Sequence, residues 1–156
     1  MSTFEYQVVG VERVKAKLNP AKALAHVSRA IIGSGGDALR ELKSNTPRAT
    51  GSTQRTENVQ MAGSPPLKAI IGSHAGYFGA LEKGRKPGRP PPVEALRPWL
   101  RARGIPQTAA YQVARSIGQH GTKGAFMVQK TFEKVPGIVN RHLATAAKRI
   151  EAEFAK

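Results

Sequence analysis

Between Gly84 and Pro92 the chain reads Gly-Arg-Lys-Pro-Gly-Arg-Pro-Pro-Pro, and no other stretch constrains the fold as tightly. Four prolines that lack a backbone N–H and two glycines with little conformational preference disfavour a helix and a regular strand alike. The run must therefore join two ordered pieces. One is the aromatic, apolar segment that opens at Tyr77; the other is a short amphipathic segment that closes at Gly104 and carries the sole tryptophan, Trp99. The chain of 156 residues is expected to be a single domain, 1–156, with a mobile basic Gly/Pro-rich loop around 83–92.

Upstream of the loop, Phe4 to Val11 is rich in β-formers and predicts a first strand, followed by a basic connector from Arg13 to Leu18. Asn19-Pro20 is a strong helix start, because Asn accepts from free N–H groups and Pro at the first helical position lacks only a donor that would be orphaned anyway. Leu24, Val27, Ile31, Ala38 and Leu42 then fall on one face of a long helix reaching about Lys43. Gly33, Ser34, Gly35 and Gly36 interrupt its propensity; the helix bends there, breaks in two, or lets another backbone approach closely. Pro47 ends it. Glu57 to Met61 and Leu67 to Ile71 predict short strands around a longer-loop hairpin, and Tyr77 to Leu81 fits a third strand or the first turn of a short helix.

Downstream, Val93, Leu96 and Leu100 share a helical face, with a kink or two abutting turns expected at Pro98 and a stop at Gly104. Thr108 is placed to cap a further helix that Gly121-Thr122-Lys123-Gly124 closes. The last element is helical from Phe126 to Lys134, restarts at Pro136, and continues through Val139, Leu143, Ala146, Ile150 and Phe154. Strands and helices are segregated along the chain, which predicts an α+β fold with a small antiparallel sheet packed against a long N-terminal helix and a C-terminal helix.

Residue types narrow the chemistry. Without cysteine there is no disulfide, thiolate metal site or Cys nucleophile. His26, His74, His120 and His142 are dispersed with no metal-binding spacing, and Asp37 is the sole aspartate, too few acids for a two-metal nuclease. No Gly-x-Ser-x-Gly elbow occurs. Catalysis, cofactors and metals are accordingly not expected. No apolar run approaches the ~20 residues of a membrane helix, and the opening residues lack a signal pattern, so a soluble, cytoplasmic chain with no membrane partner is expected. The formal net charge of +15 attracts polyanions, either nucleic acid or an acidic protein surface, or it serves solubility.

Much of that charge sits in the central stretch, where Lys83, Arg85, Lys86, Arg89, Arg97, Arg101 and Arg103 face only Glu94. Lys86-Pro87-Gly88-Arg89-Pro90 is similar to a minor-groove hook, although Pro87 stands where such a hook wants arginine. On a DNA-binding reading Lys83, Arg85, Lys86 and Arg89 would contact phosphates. Pro87 to Pro92 could equally serve as a polyproline ligand, or as a stiff connection that needs no partner at all.

With those residues in view, the chain resembles the gene-ten-like family of tail-completion and tail-terminator proteins in the necks of long-tailed phages and prophages. Pro47-Arg48-Ala49-Thr50-Gly51 resembles the family's Pro-x-x-Thr-Gly turn after a long helix. Tyr77-Phe78-Gly79-Ala80-Leu81-Glu82-Lys83-Gly84 resembles its aromatic and Glu-x-Gly signature before a basic, Pro-rich loop, and Gly121-Thr122-Lys123-Gly124-Ala125-Phe126 its closing element. The polar Thr50-Gly51-Ser52-Thr53 departs from the usual leucine after the turn. The resemblance implies a non-enzymatic structural protein of the virion neck or tail, assembled in the bacterial host cytoplasm. It implies a homo-oligomeric ring, commonly hexameric, that completes the tail tube, meets the tail-tube protein and the head-tail connector or stopper protein, and passes genomic DNA through its bore. Subunit and partner contacts are then expected at Tyr77, Phe78, Glu82, Arg85, Lys86, Arg89, Trp99 and Arg101.

Overall fold

The computed structural model describes residues 3–7, 20–48 and 50–154. In chain order these form β1 (Thr3–Gln7), α1 (Pro20–Asn45), α2 (Ser52–Thr56), β2 (Glu57–Ala62), β3 (Lys68–Ser73), α3 (Phe78–Lys83), β4 (Gly84–Arg85), α4 (Val93–Ala102), a 3-10 turn (Gln107–Ala109), α5 (Ala110–His120), β5 (Thr122–Lys123) and α6 (Met127–Phe154). The architecture is α+β, as expected: a small antiparallel sheet against a long N-terminal helix and a C-terminal helix. The part of the first predicted strand from Val8 to Val11, the connector from Arg13 to Leu18 and the cap residue Asn19 lie outside the described residues.

The main sheet has the order β1-β3-β2 and is antiparallel throughout. Its central strand β3 pairs with β1 from Thr3↔Gly72 to Gln7↔Lys68 and with β2 from Glu57↔Ser73 to Ala62↔Lys68. Ala69 and Ile71, two apart and therefore on one face, are fully buried. Ala69 meets Val27 and Ile31 of α1; Ile71 joins Ala38 and Leu42 of α1, Phe78 of α3, and Met127, Val135 and Ile138 of α6. Of the helical stripe read from the sequence, Val27, Ile31, Ala38 and Leu42 are buried and Leu24 is half-buried.

α1 and α6 run antiparallel against each other. Asn45 Nδ2 donates to Thr131 Oγ1 at 3.1 Å, Lys134 pairs with Glu41 at 2.5 Å, and His142 Nε2 lies 2.9 Å from Asp37 Oδ2. The glycine cluster does not break α1, which is continuous from Pro20 to Asn45, and what approaches it is side chains and not a second backbone. A Cβ on Gly33 would stand 2.7 Å from His142 Cε1, and one on Gly35 2.7 Å from Met61 Cε, so these positions let α6 and the sheet close on the helix.

Several local expectations need correction. Pro136 does not restart the last helix, which is continuous from Met127 to Phe154. Pro136 and Gly137 are exposed while Val135 and Ile138 are buried, so the proline ring stands on the solvent side and packing on the other side keeps the helix whole. Thr108 caps nothing; it sits inside the 3-10 turn that precedes α5, and no side chain caps either start. Tyr77 to Leu81 resolves as helix, not strand, from Phe78 onward.

Candidate functional site: a basic helical lobe

The loop after α3 is not wholly irregular. Gly84 and Arg85 pair with Lys123 and Thr122 in a two-stranded antiparallel ladder, which corrects the expectation that no strand can form in this run. Two backbones cross here at a distance only glycine permits. Gly84 and Gly121 have φ of 79° and 72°, and a Cβ on either would run into a carbonyl oxygen of the facing strand, Thr122 O or Arg85 O. Next to the ladder, Ala125 N donates to Leu81 O at 2.8 Å and Phe126 N to Glu82 O at 3.1 Å.

Everything between the two strands forms a lobe. The chain leaves β4 through the prolines, where Pro90 packs on Gly118 and Gly88 N donates to Gly118 O at 2.8 Å. Arg85 Nη2 also donates to Arg89 O. Pro92, with φ −57° and ψ 130°, holds the extended backbone from which α4 begins. α4 ends in a Schellman motif: Gly104 N donates to Arg101 O at 3.1 Å, Ile105 N donates to Leu100 O at 2.9 Å, and Gly104 takes φ 68°. α4 and α5 pack on each other around Leu100, Ala110 and Ala114, all buried. None of these three belongs to the body's clusters, so the lobe has its own small core.

Its surface is cationic and aromatic. From Lys83 to Lys123 there are nine Lys and Arg residues against Glu94 alone, and they supply more than half of the net charge of +15. Trp99 is 37% exposed, with the Arg103 guanidinium 5.9 Å from its ring centroid, a cation–π distance. Tyr111 is 67% exposed. Arg101 is exposed but fixed, since Gln107, with its amide oxygen assigned toward it, accepts from Nε and Nη2 at 3.0 Å each. Arg85 and Arg89 flank the prolines around an open concavity of about 540 Å3.

The expected contact residues divide in two. Lys83, Arg85, Lys86, Arg89, Trp99 and Arg101 are brought together on or beside the lobe, all exposed. Tyr77 is exposed too, on the body, with its hydroxyl 3.2 Å from Ser52 Oγ and 3.4 Å from Thr53 Oγ1. Phe78 and Glu82, by contrast, are internal, so the expectation that they face a partner is corrected. Phe78 is 1% exposed in the main core. Glu82 is buried, and its carboxylate accepts from Val128 N at 2.8 Å and Gln129 N at 3.1 Å. These are free N–H groups in the first turn of α6, where a negative charge also meets the positive end of the helix dipole.

Comparisons with protein families, curated proteins and solved structures find no match. Among the described residues no three His, Asp or Glu side chains converge as metal ligands, and no helix is long and apolar enough to cross a membrane. Among the described residues, the two acids with displaced titration lie in the body, not the lobe. The hydrogen bond from His142, helped by the charge of Arg40, holds Asp37 below its ordinary value against the opposing effect of burial. Burial pushes Glu57 up, against the Thr46 hydrogen bond and the charge of Lys43.

Sequence reasoning misses Tyr111, Arg115, Lys123 and Phe126 as members of the exposed surface. The signal is present in the glycines: Gly84 at one short strand and Gly121 and Gly124 around the other bracket the pair, but a gap of some thirty-five residues hides the pairing. Phe126, at φ 50° and 47% exposed, is the one non-glycine residue with positive φ among the described residues.

Proposed function

We propose that this chain is a structural virion protein of a long-tailed phage or prophage, forming a homo-oligomeric ring, commonly hexameric in the family it resembles, that completes the tail tube and joins it to the head connector or stopper protein. The observation that carries the proposal is the placement of its aromatics. Of six aromatic side chains whose burial is described, Tyr77, Trp99, Tyr111, Phe126 and Phe132 are exposed and only Phe78 is buried. Aromatic and arginine side chains are enriched at protein interfaces, where they anchor contacts that charge alone does not fix. Trp99, Tyr111 and Arg101 on the lobe, with Tyr77 on the body, are the proposed anchors.

The resemblance gains physical sense from the internal half of the motif. Phe78 fills the core, Glu82 holds the start of α6, and Gly84 admits the crossing strand, so the signature builds the base from which the lobe projects. Purified protein mixed with tail tubes is expected to form rings or to bind tube ends, read by sedimentation and electron microscopy. Protein that does neither rejects the proposal.

A second reading is favoured by one observation, the nine cations against Glu94 between Lys83 and Lys123. On that reading the lobe binds DNA phosphates through Lys83, Arg85, Lys86 and Arg89. Affinity for duplex DNA should then fall steeply with salt, since each neutralised phosphate releases counterion.

A further inference from the structure

The antiparallel contact between α1 and α6 leaves a notch of about 100 Å3 that is separate from the lobe. Its floor is Ala30 and Ala146, one small residue from each helix, both buried. The walls are His26 and Arg29 from α1, and His142, Thr145 and Arg149 from α6. The spacings 26, 29 and 30 on one helix and 142, 145, 146 and 149 on the other put each set on a single face. No acidic side chain lines the notch.

Two of the wall residues are already held by bonds outside it. His142 is engaged with Asp37, and Thr145 Oγ1 donates to Arg141 O at 3.0 Å. Among the described residues Arg29 and Arg149 make no ion pair or side-chain hydrogen bond, so both guanidinium groups are available at the rim. The notch is open toward solvent, and its lining is cationic on both helices with no carboxylate, which suits a compact oxyanion.

We propose that this notch binds a single phosphate-class oxyanion between the guanidinium groups of Arg29 and Arg149, with the imidazole of His26 behind it. Each guanidinium offers a planar fork of donors that matches two anion oxygens, and the alanine floor lets the anion settle between the helices. The anion is either free phosphate or one phosphate of a polymer laid along the groove. The inference does not depend on the assembly role.

The test is a titration of the full chain with inorganic phosphate, with chloride at matched ionic strength as the control, followed by the side-chain resonances of His26. A saturable shift is expected. The double variant Arg29→Gln/Arg149→Gln, which removes two exposed charges that hold no other part of the fold and should keep its circular dichroism, is expected to bind phosphate about tenfold more weakly or worse. A second arm titrates a short DNA duplex into both proteins. Parallel loss of duplex and phosphate affinity supports the site with a polymer as source; loss of phosphate affinity alone supports it with the free anion. A His26 signal that phosphate leaves unmoved, or a double variant that binds phosphate as tightly as the parent, overturns the proposal.

Discussion

Glu82 reaches back from α3 to the first turn of α6 and joins the two sides of the lobe's base with one carboxylate. Glu82→Ala leaves two helix N–H groups without their acceptor and is expected to cost about 2 kcal/mol, seen as a lower denaturant midpoint with an unchanged slope. Glu57 predicts a pH effect. Thr46 Oγ1 lies 2.6 Å from Glu57 Oε1 and 2.8 Å from Leu42 O, and its single proton can serve only one of them. Donation from Thr46 favours the Glu57 carboxylate, but burial, the larger effect, favours the neutral acid. Because its folded pKa is raised above the ordinary 4.5, its contribution to stability is complete below that value. It is lost as pH rises through the raised one. Glu57→Gln should remove this downward slope, measured as denaturation midpoints across that window. Phe126 supplies a third test. Its left-handed backbone costs roughly 1–2 kcal/mol, part of which glycine would return as greater freedom in the unfolded chain. Phe126→Gly should therefore leave thermal stability equal or slightly higher; if the proposed ring forms and this exposed side chain is among its contacts, the same change should weaken assembly, a combination that a purely structural role for this side chain would not produce.

At the scale of elements, packing repeatedly outweighs propensity. The four-residue Gly33 to Gly36 cluster is helical because two of its glycines are contact points, and substitutions should separate the roles. A methyl group on Gly36 would find no neighbour within 4 Å, so Gly36→Ala is expected to raise stability by about 1 kcal/mol through helix propensity alone. Gly33→Ala must push the His142 ring off Asp37 and should destabilise by about 1–3 kcal/mol despite the same gain in propensity. Both are read by thermal unfolding. The buried stripe Val27, Ile31, Ala38 and Leu42, the hairpin strands and the stops at Gly104 and Gly121 are legible in the sequence because they depend on local period and turn chemistry. Pro136 misleads, and at Pro98 the reading of two abutting turns does, because whether a proline interrupts a helix depends on whether its ring stands on the solvent side, which is a tertiary fact. The candidate site is legible only in part: charge and Trp99 are visible, whereas the burial of Glu82 and Phe78 requires knowing that α6 begins beside α3.

For the whole molecule, charge and core are divided between two regions. The body buries both hydrophobic clusters, and the lobe from Lys83 to Lys123 carries the larger share of net charge. If the lobe binds DNA, log affinity against log salt should fall by about 0.9 per phosphate neutralised, and Arg85→Gln/Lys86→Gln/Arg89→Gln should make that slope shallower by about two to three units, measured by fluorescence anisotropy. If it docks on protein, Trp99→Ala should weaken tube-end binding more than that triple substitution does. The ladder of Gly84 and Arg85 with Lys123 and Thr122 has a consequence for the chain's architecture as a set of exchangeable parts. The excursion from residue 86 to residue 121 starts and finishes on paired neighbours, so an Asn-Gly turn set between Arg85 and Thr122 closes the same hairpin. The shortened chain keeps every residue of the body's clusters. The lobe is thus a cassette: its loss or replacement by a different tip alters what the protein meets without asking the body to fold in a new way.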